Sequence, residues 1–301
     1  MSQHRALTST AFATLVLIAL MMGANHVAAR IAFNDGLSVA AAVVVRSGVT
    51  ALLVAAIVLV QRIPVRLQPR HRLALPAIGL LIGVQSLCLY SAVARLPVAL
   101  ALLAFNTHPL WTTFWDWLLY RRAVERRVLL TMPVLLLGLA IALDALGAAS
   151  GLGAAAHWSR IGAGVAFALA AAASFGVALV LTQHEAGGLD GRVRTTSTMA
   201  LAALVALAGS GLQGGLAWPA SGAGWSGLAA LTFLYGTAFT IMFTVLPRLG
   251  VAGNSAIMNV EPVFALGLAW LVLDQRIAPI QILGALIVVG AVMALGLRRR
   301  S

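Results

Sequence analysis

The sequence predicts an all-α integral membrane protein: ten transmembrane helices arranged as two inverted five-helix repeats. Three observations carry this. Of 301 residues, 61% are hydrophobic and only 9% charged, with a mean hydropathy of +0.99. A soluble domain of that size cannot cover so much apolar surface. The apolar residues fall into about ten stretches of roughly the 20 residues a span requires, joined by short loops. The chain also repeats itself at an offset of 153 positions.

Taken in order, the predicted spans are 11–33, 37–60, 73–94, 97–119, 127–147, 160–183, 195–214, 224–246, 250–273 and 278–297. The first follows His4 and Arg5 as a signal peptide would. It runs longer than a signal h-region and further spans follow, so it is expected to remain as the first span. Helices are the expected form throughout, because a backbone in lipid must satisfy its own hydrogen bonds. The strict alternation of barrel strands is absent. Cys88, the single cysteine, lies within an apolar run and offers no disulfide framework.

All 20 basic residues are arginine, and the net charge is +12. The arginines sit in short loops rather than along a helix face, which argues for a lipid bilayer and against nucleic acid as the partner. With the N-terminus inside, 15 arginines fall on the inner side, four on the outer side, and Arg46 within a span. The positive-inside rule then puts both termini in the cytoplasm, which an even span count permits. The expected location is the bacterial cytoplasmic (inner) membrane.

The repeat is clearest in Ala94–Arg122 and Pro247–Arg276. It pairs Arg95 with Arg248, Leu96 with Leu249, Val98 with Val251, Asn106 with Asn259 and Pro109 with Pro262. It also pairs Ala13 with Ala166, Gly23 with Gly176, Leu75 with Leu228 and Gly83 with Gly236. The halves divide as 1–150 and 151–301 about a Gly/Ala-rich linker at 147–158. Five spans per half, an odd number, give the halves opposite orientations. Inverted repeats of this kind suit a transporter whose midplane site opens alternately to each side.

These features resemble the ten-span EamA-type branch of the drug/metabolite transporter superfamily. The resemblance rests on Met22-Gly23-Ala24-Asn25, on Arg46, and on Asn259-Val260-Glu261-Pro262-Val263 followed by Leu273-Asp274-Gln275-Arg276. Relatives commonly read Glu-Pro-Val and then Gly-Glu-Arg. Here Asp274-Gln275 replaces Gly-Glu, and Arg121-Arg122 stands at the equivalent place in the first half. The resemblance implies a central cavity lined by spans 1, 3, 4, 6, 8 and 9, with spans 5 and 10 peripheral, and export of small metabolites. The aromatic fourth span looks most like that of the bacterial aromatic amino acid exporters. Small multidrug members carry a glutamate in their first span; this chain does not.

Asn254, Met258 and Glu261 form one helical stripe in span 9, and Phe105, His108, Thr112 and Trp115 form its counterpart in span 4. Polar groups at the midplane are costly and face a cavity or a partner. His108 and Glu261, equivalent under the repeat, are expected either to contact a zwitterionic substrate or to bond each other or carbonyls freed by Pro109 and Pro262. Asn25, His26, Gln85 and Tyr235 are further candidates for the cavity. Trp111 and Trp115 are candidates for stacking on an aromatic or cationic ligand; Trp117 suits an interfacial anchor. Asn106 and Asn259 are expected to satisfy the interrupted helices. Arg95-Leu96-Pro97 and Pro247-Arg248-Leu249-Gly250 are candidate pivots. Arg46 is expected to be structural, with a carbonyl or acid partner. Asp116 and Asp144, near span ends, are expected to snorkel.

No Walker sequence, zinc-ligand spacing or nucleophile elbow is present. The expectation is therefore a secondary transporter rather than an enzyme, with no cofactor and no metal, exporting a small-molecule substrate, foremost amino acids. The alternatives are another amphipathic metabolite or a drug-like cation, an intramembrane enzyme, or a non-transporting scaffold. A monomer is expected, with a homodimer as the alternative.

Overall fold

The structure is a computed structural model that describes residues 9–211, 214–244 and 260–296. Among the described residues it is all helix, without strands. The helices are α1 (Ser9–Asn34), α2 (Val39–Val60), α3 (Pro69–Arg95), α4 (Val98–Phe105), α5 (His108–Tyr120), α6 (Arg126–Ala142), α7 (Ala154–His184), α8 (Gly191–Ser210), α9 (Gly222–Thr244), α10 (Glu261–Leu273) and α11 (Pro279–Gly296). Six of them, α1, α2, α3, α7, α8 and α9, are long and apolar enough to cross a membrane. The predicted fourth span is two helices, α4 and α5, separated at Asn106–Thr107.

Local chemistry sets these boundaries. Ser38 caps α2 by accepting from Ala41 N, and Asp190 caps α8 by accepting from Arg192 N, each satisfying an otherwise orphaned donor. Proline stands in the first turn of α3, α5 and α10, where its missing N–H costs nothing. The predicted fifth span runs to 147, but α6 stops at Ala142. Asp144 turns left-handed (φ 51°), and its carboxylate accepts from Ala149 N and Ser150 N at 2.9 and 2.8 Å. It caps a turn rather than snorkelling. The expected linker is helical from Ala154 onward.

The repeat is visible in the backbone. His108 and Glu261 each open a 13-residue helix with proline next. Arg121 (φ 55°) and Asp274 (φ 50°) each end one in the left-handed region, a conformation uncommon for residues with a side chain. All these pairs differ by the repeat offset. Packing follows the same rule: α1 lies on α9 as α7 lies on α3, and α1 lies on α10 as α7 lies on α5. The self-equivalent pairs α2 with α8, and α6 with α11, also pack together.

Glycine permits the closest of these approaches. A Cβ on Gly23 would sit 3.0 Å from Ala265 N, and one on Gly176 would sit 2.9 Å from Thr112 N. Both partners are themselves related by the offset, so each half uses the same small residue for the same backbone contact. On the periphery, α6 and α11 present Leu129, Leu130, Leu137, Leu283 and Leu286 outward. Exposed apolar side chains in such number belong against lipid.

Candidate functional site

Five helices bring polar side chains to one buried place. α1 carries Asn25 and His26, α2 carries Arg46, and α3 carries Gln85, Ser86 and Tyr90. α9 carries Tyr235, and α10 opens with Glu261.

At the centre is Arg46, only 3% exposed. Its guanidinium carbon lies 4.5 Å from the Tyr90 ring centroid and 3.9 Å from that of Tyr235. Nη2 donates to Ser86 Oγ at 2.8 Å, and Ser86 Oγ donates to Gln85 Oε1 at 3.3 Å. Nε is buried without a partner. Burying a charge costs several kcal/mol. Each desolvated cation–π contact returns about 2 kcal/mol, so the two rings offset much of that cost without neutralising the charge. The expected acid partner does not exist. All eight acidic residues of the chain are among the described residues, and none forms an ion pair with Arg46.

Tyr90 OH donates to Asn25 Oδ1 at 2.9 Å, and the His26 ring meets the Tyr90 ring edge-on, with centroids 5.7 Å apart. His26 Nε2 lies 3.2 Å from Glu261 Oε1. Glu261 sits at the N-terminus of α10, where the helix dipole favours a carboxylate. Its side chain keeps 21% of its surface exposed, whereas that of His26 keeps 2%. Asn25 Nδ2 and His26 Nδ1 are buried without partners. Among the described residues Tyr235 OH finds only Met199 Sδ, at 3.7 Å.

The other candidates lie along α5 against α7. His108 packs on Phe105 and Phe175, at 5.4 and 5.2 Å between centroids, and its Nδ1 is buried without a partner. Trp111 lies over Gly176. Phe114 links Trp111 and Trp115 at 6.3 and 5.0 Å, and Trp115 Nε1 has no partner. His108 and Glu261 do not pair with each other; Glu261 pairs with His26.

Other expectations change in detail. Asn106 does not mend the broken helix, since its Nδ2 is buried without a partner. Thr107 mends it instead, donating from Oγ1 to Ala104 O at 2.8 Å. Pro109 and Pro262 occupy the second position of their helices and remove no ladder bond there. Asp116 is hydrogen-bonded rather than snorkelling: its Oδ1 is 2.8 Å from His184 Nε2. At the first pivot, Arg95 donates to Ser91 O at 2.9 Å and covers the Phe167 ring at 4.8 Å. Leu96 is buried against Gly164, and Pro97 precedes α4. Gln275 Oε1 accepts from Val98 N at 3.0 Å, which gives the residue in the altered Asp274-Gln275 pair a helix-capping task. Pro247, Arg248, Gly250, Asn254, Met258 and Asn259 lie outside the described residues.

The sequence singles out Asn25, His26, Gln85, Tyr235 and Glu261 and assigns Arg46 to structure, whereas the fold sets Arg46 among them, with Tyr90 beside it. One signal points to Arg46: it is the arginine set deepest within a predicted span, 37–60.

A family model described as "EamA-like transporter family" matches residues 9–143 and 162–297. No curated protein matches the chain. Among solved structures, one described only as "Crystal structure of protein" matches with a TM-score of 0.61 at 21% identity. It covers 95% of this chain and 99% of its own; at that identity the likeness speaks to fold alone.

Proposed function

The chain belongs to the EamA-like transporter family, a family of membrane transporters for small molecules, and from that premise we propose that it is a secondary exporter of small metabolites, foremost amino acids, working by alternating access. Ten spans form two inverted units, 1–150 and 151–301, with both termini in the cytoplasm of a bacterial inner membrane. The matched left-handed ends at Arg121 and Asp274 and the mirrored packing of α1 and α7 support the two-unit reading. The skew of the arginines toward one side supports the orientation.

One observation carries the transport reading: His26 of the first unit meets Glu261 of the second, 3.2 Å apart, beside a buried cation that no acid of the chain neutralises. Such intramembrane ionisable groups mark substrate pathways. A rocking of one unit against the other alters that contact directly, because each unit supplies one side of it. Asn25, Gln85, Tyr235, Asn254, Met258, His108, Trp111 and Trp115 complete the proposed binding surface. The aromatic run Trp111, Phe114 and Trp115 on α5 supports a ligand with an aromatic side chain. The same aromatic run, with Glu261, favours a second reading in which the cargo is an amphipathic cation.

A screen of amino acids and amphipathic cations for thermal stabilisation of the purified protein, followed by flux into liposomes, tests this. Saturable, protein-dependent flux of an amino acid is the expected result. Stabilisation by cations alone selects the second reading, and absence of any saturable flux overturns both.

A further inference from the structure

Arg46 is buried, lies over two tyrosine rings and is paired with no carboxylate among the described residues. We infer that it is the anion-binding residue of the transport site, taking the carboxylate of the substrate. This deepens the amino-acid reading above and rests on it.

The geometry fits that ligand. The guanidinium carbon lies over both the Tyr90 and the Tyr235 ring, 4.5 and 3.9 Å from their centroids, so two aromatic neighbours hold the group while its N–H donors are left for other partners. Carboxylates bind arginine in the plane of the fork, through two parallel N–H donors. Nε and Nη2 form one such edge. Among the described residues Nε has no partner, and Nη2 donates to the neutral Ser86 Oγ. Ser86 keeps Gln85 as a second partner and gives way without being stranded. The rings fix the fork in place and lower the ordering cost of binding.

The two tyrosines are held unequally. Tyr90 OH is anchored on Asn25 at 2.9 Å. Tyr235 OH has, among the described residues, a thioether sulfur at 3.7 Å, a weak acceptor. Tyr235 is therefore the ring that swings aside to admit the ligand, while Tyr90 stays as the floor. The repeat offset places Met199 opposite Arg46, so the positive charge exists in one unit only. The site is polar along its length: the carboxylate goes to Arg46 and the ammonium group to Glu261.

The test is thermal stabilisation and liposome flux with three probes: phenylalanine, phenylalaninamide and N-acetylphenylalanine. They are compared on the wild type, Arg46→Gln, Arg46→Lys and Glu261→Gln. The wild type should prefer phenylalanine to its amide by about 10- to 100-fold, the worth of a charged hydrogen-bond pair. Arg46→Gln should abolish that preference, and Arg46→Lys should retain part of it. Glu261→Gln should instead erase the preference over the N-acetyl probe. Equal affinity for acid and amide in the wild type, a measurement that needs no variant to fold, overturns the assignment while amino-acid transport stands. So does an acid preference that survives Arg46→Gln. Failure of every probe to bind or move in the wild type overturns the amino-acid reading and the assignment together.

Discussion

His26 Nε2 and Glu261 Oε1 lie 3.2 Å apart, one residue from each repeat, and the contact forms where α1 meets the first turn of α10. Residues that act as a pair show coupling of about 0.5–3 kcal/mol in a double-mutant cycle. His26→Gln, Glu261→Gln and the double variant should therefore be non-additive in chemical or thermal unfolding. Additive effects would show that the two side chains are neighbours without being partners. Glu261→Gln should also lower flux at least tenfold in protein that remains folded.

Gly23 and Gly176 support equivalent backbone contacts: a methyl group added at each would lie 3.0 Å from Ala265 N and 2.9 Å from Thr112 N, respectively. Alanine at either site should destabilise by about 1–3 kcal/mol, the range for overpacking. Gly267 has open space around it, so its alanine variant should move the melting temperature little. Unequal effects at Gly23 and Gly176 would argue against matched interfaces in the two halves.

Asp35, in the turn after α1, accepts from Ser221 N at 2.7 Å and Ser221 Oγ at 2.9 Å, joining that turn to the start of α9. These bonds, the Ser221 backbone N–H foremost, hold its carboxyl below the ordinary carboxylate range. The folded pKa is depressed, so the clasp adds stability above the unfolded value of about 4 and loses it as pH falls through the folded value. Melting temperature measured from pH 6 to pH 3 should fall more steeply in the wild type than in Asp35→Asn at the acid end. Parallel curves would remove the clasp as a contributor.

Thr107 holds the break between α4 and α5 by donating to Ala104 O. Thr107→Val keeps the shape and removes the hydroxyl donor, while Ala104 O keeps the Thr107 N–H at 3.3 Å; the expected cost is about 0.5–1.5 kcal/mol. Asn106→Leu removes an amide nitrogen that has no partner and should cost less. The reverse order would return the structural role to Asn106.

The apolar helices and the repeat are legible in the sequence because hydropathy and an offset of identical residues are local or periodic signals; the count of ten spans is not, since six helices are long and apolar enough to cross a membrane among the described residues. His26 and Glu261 were legible one at a time, as polar groups at midplane depth. Their pairing was not, since the repeat pointed to His108 as the partner of Glu261, whereas repeat-equivalent residues take equivalent places on different neighbours. Arg46 was visible as an oddity but not as a site. Its meaning depends on Tyr90 and Tyr235, which stand 44 and 189 positions away and reach it only through the packing of α2 against α3 and α9. Thr107 was missed because an Asn three residues before Pro is the stronger local signal for a mended helix.

Access to the cluster from both compartments is the most direct test. Ser86→Cys, in a background with Cys88→Ser, places one thiol beside Arg46. A membrane-impermeant thiol reagent is then applied to right-side-out and to inverted vesicles. Alternating access requires labelling in both, slowed in each by a transported substrate. Labelling from one side alone, or from neither, contradicts a site that opens to each compartment in turn.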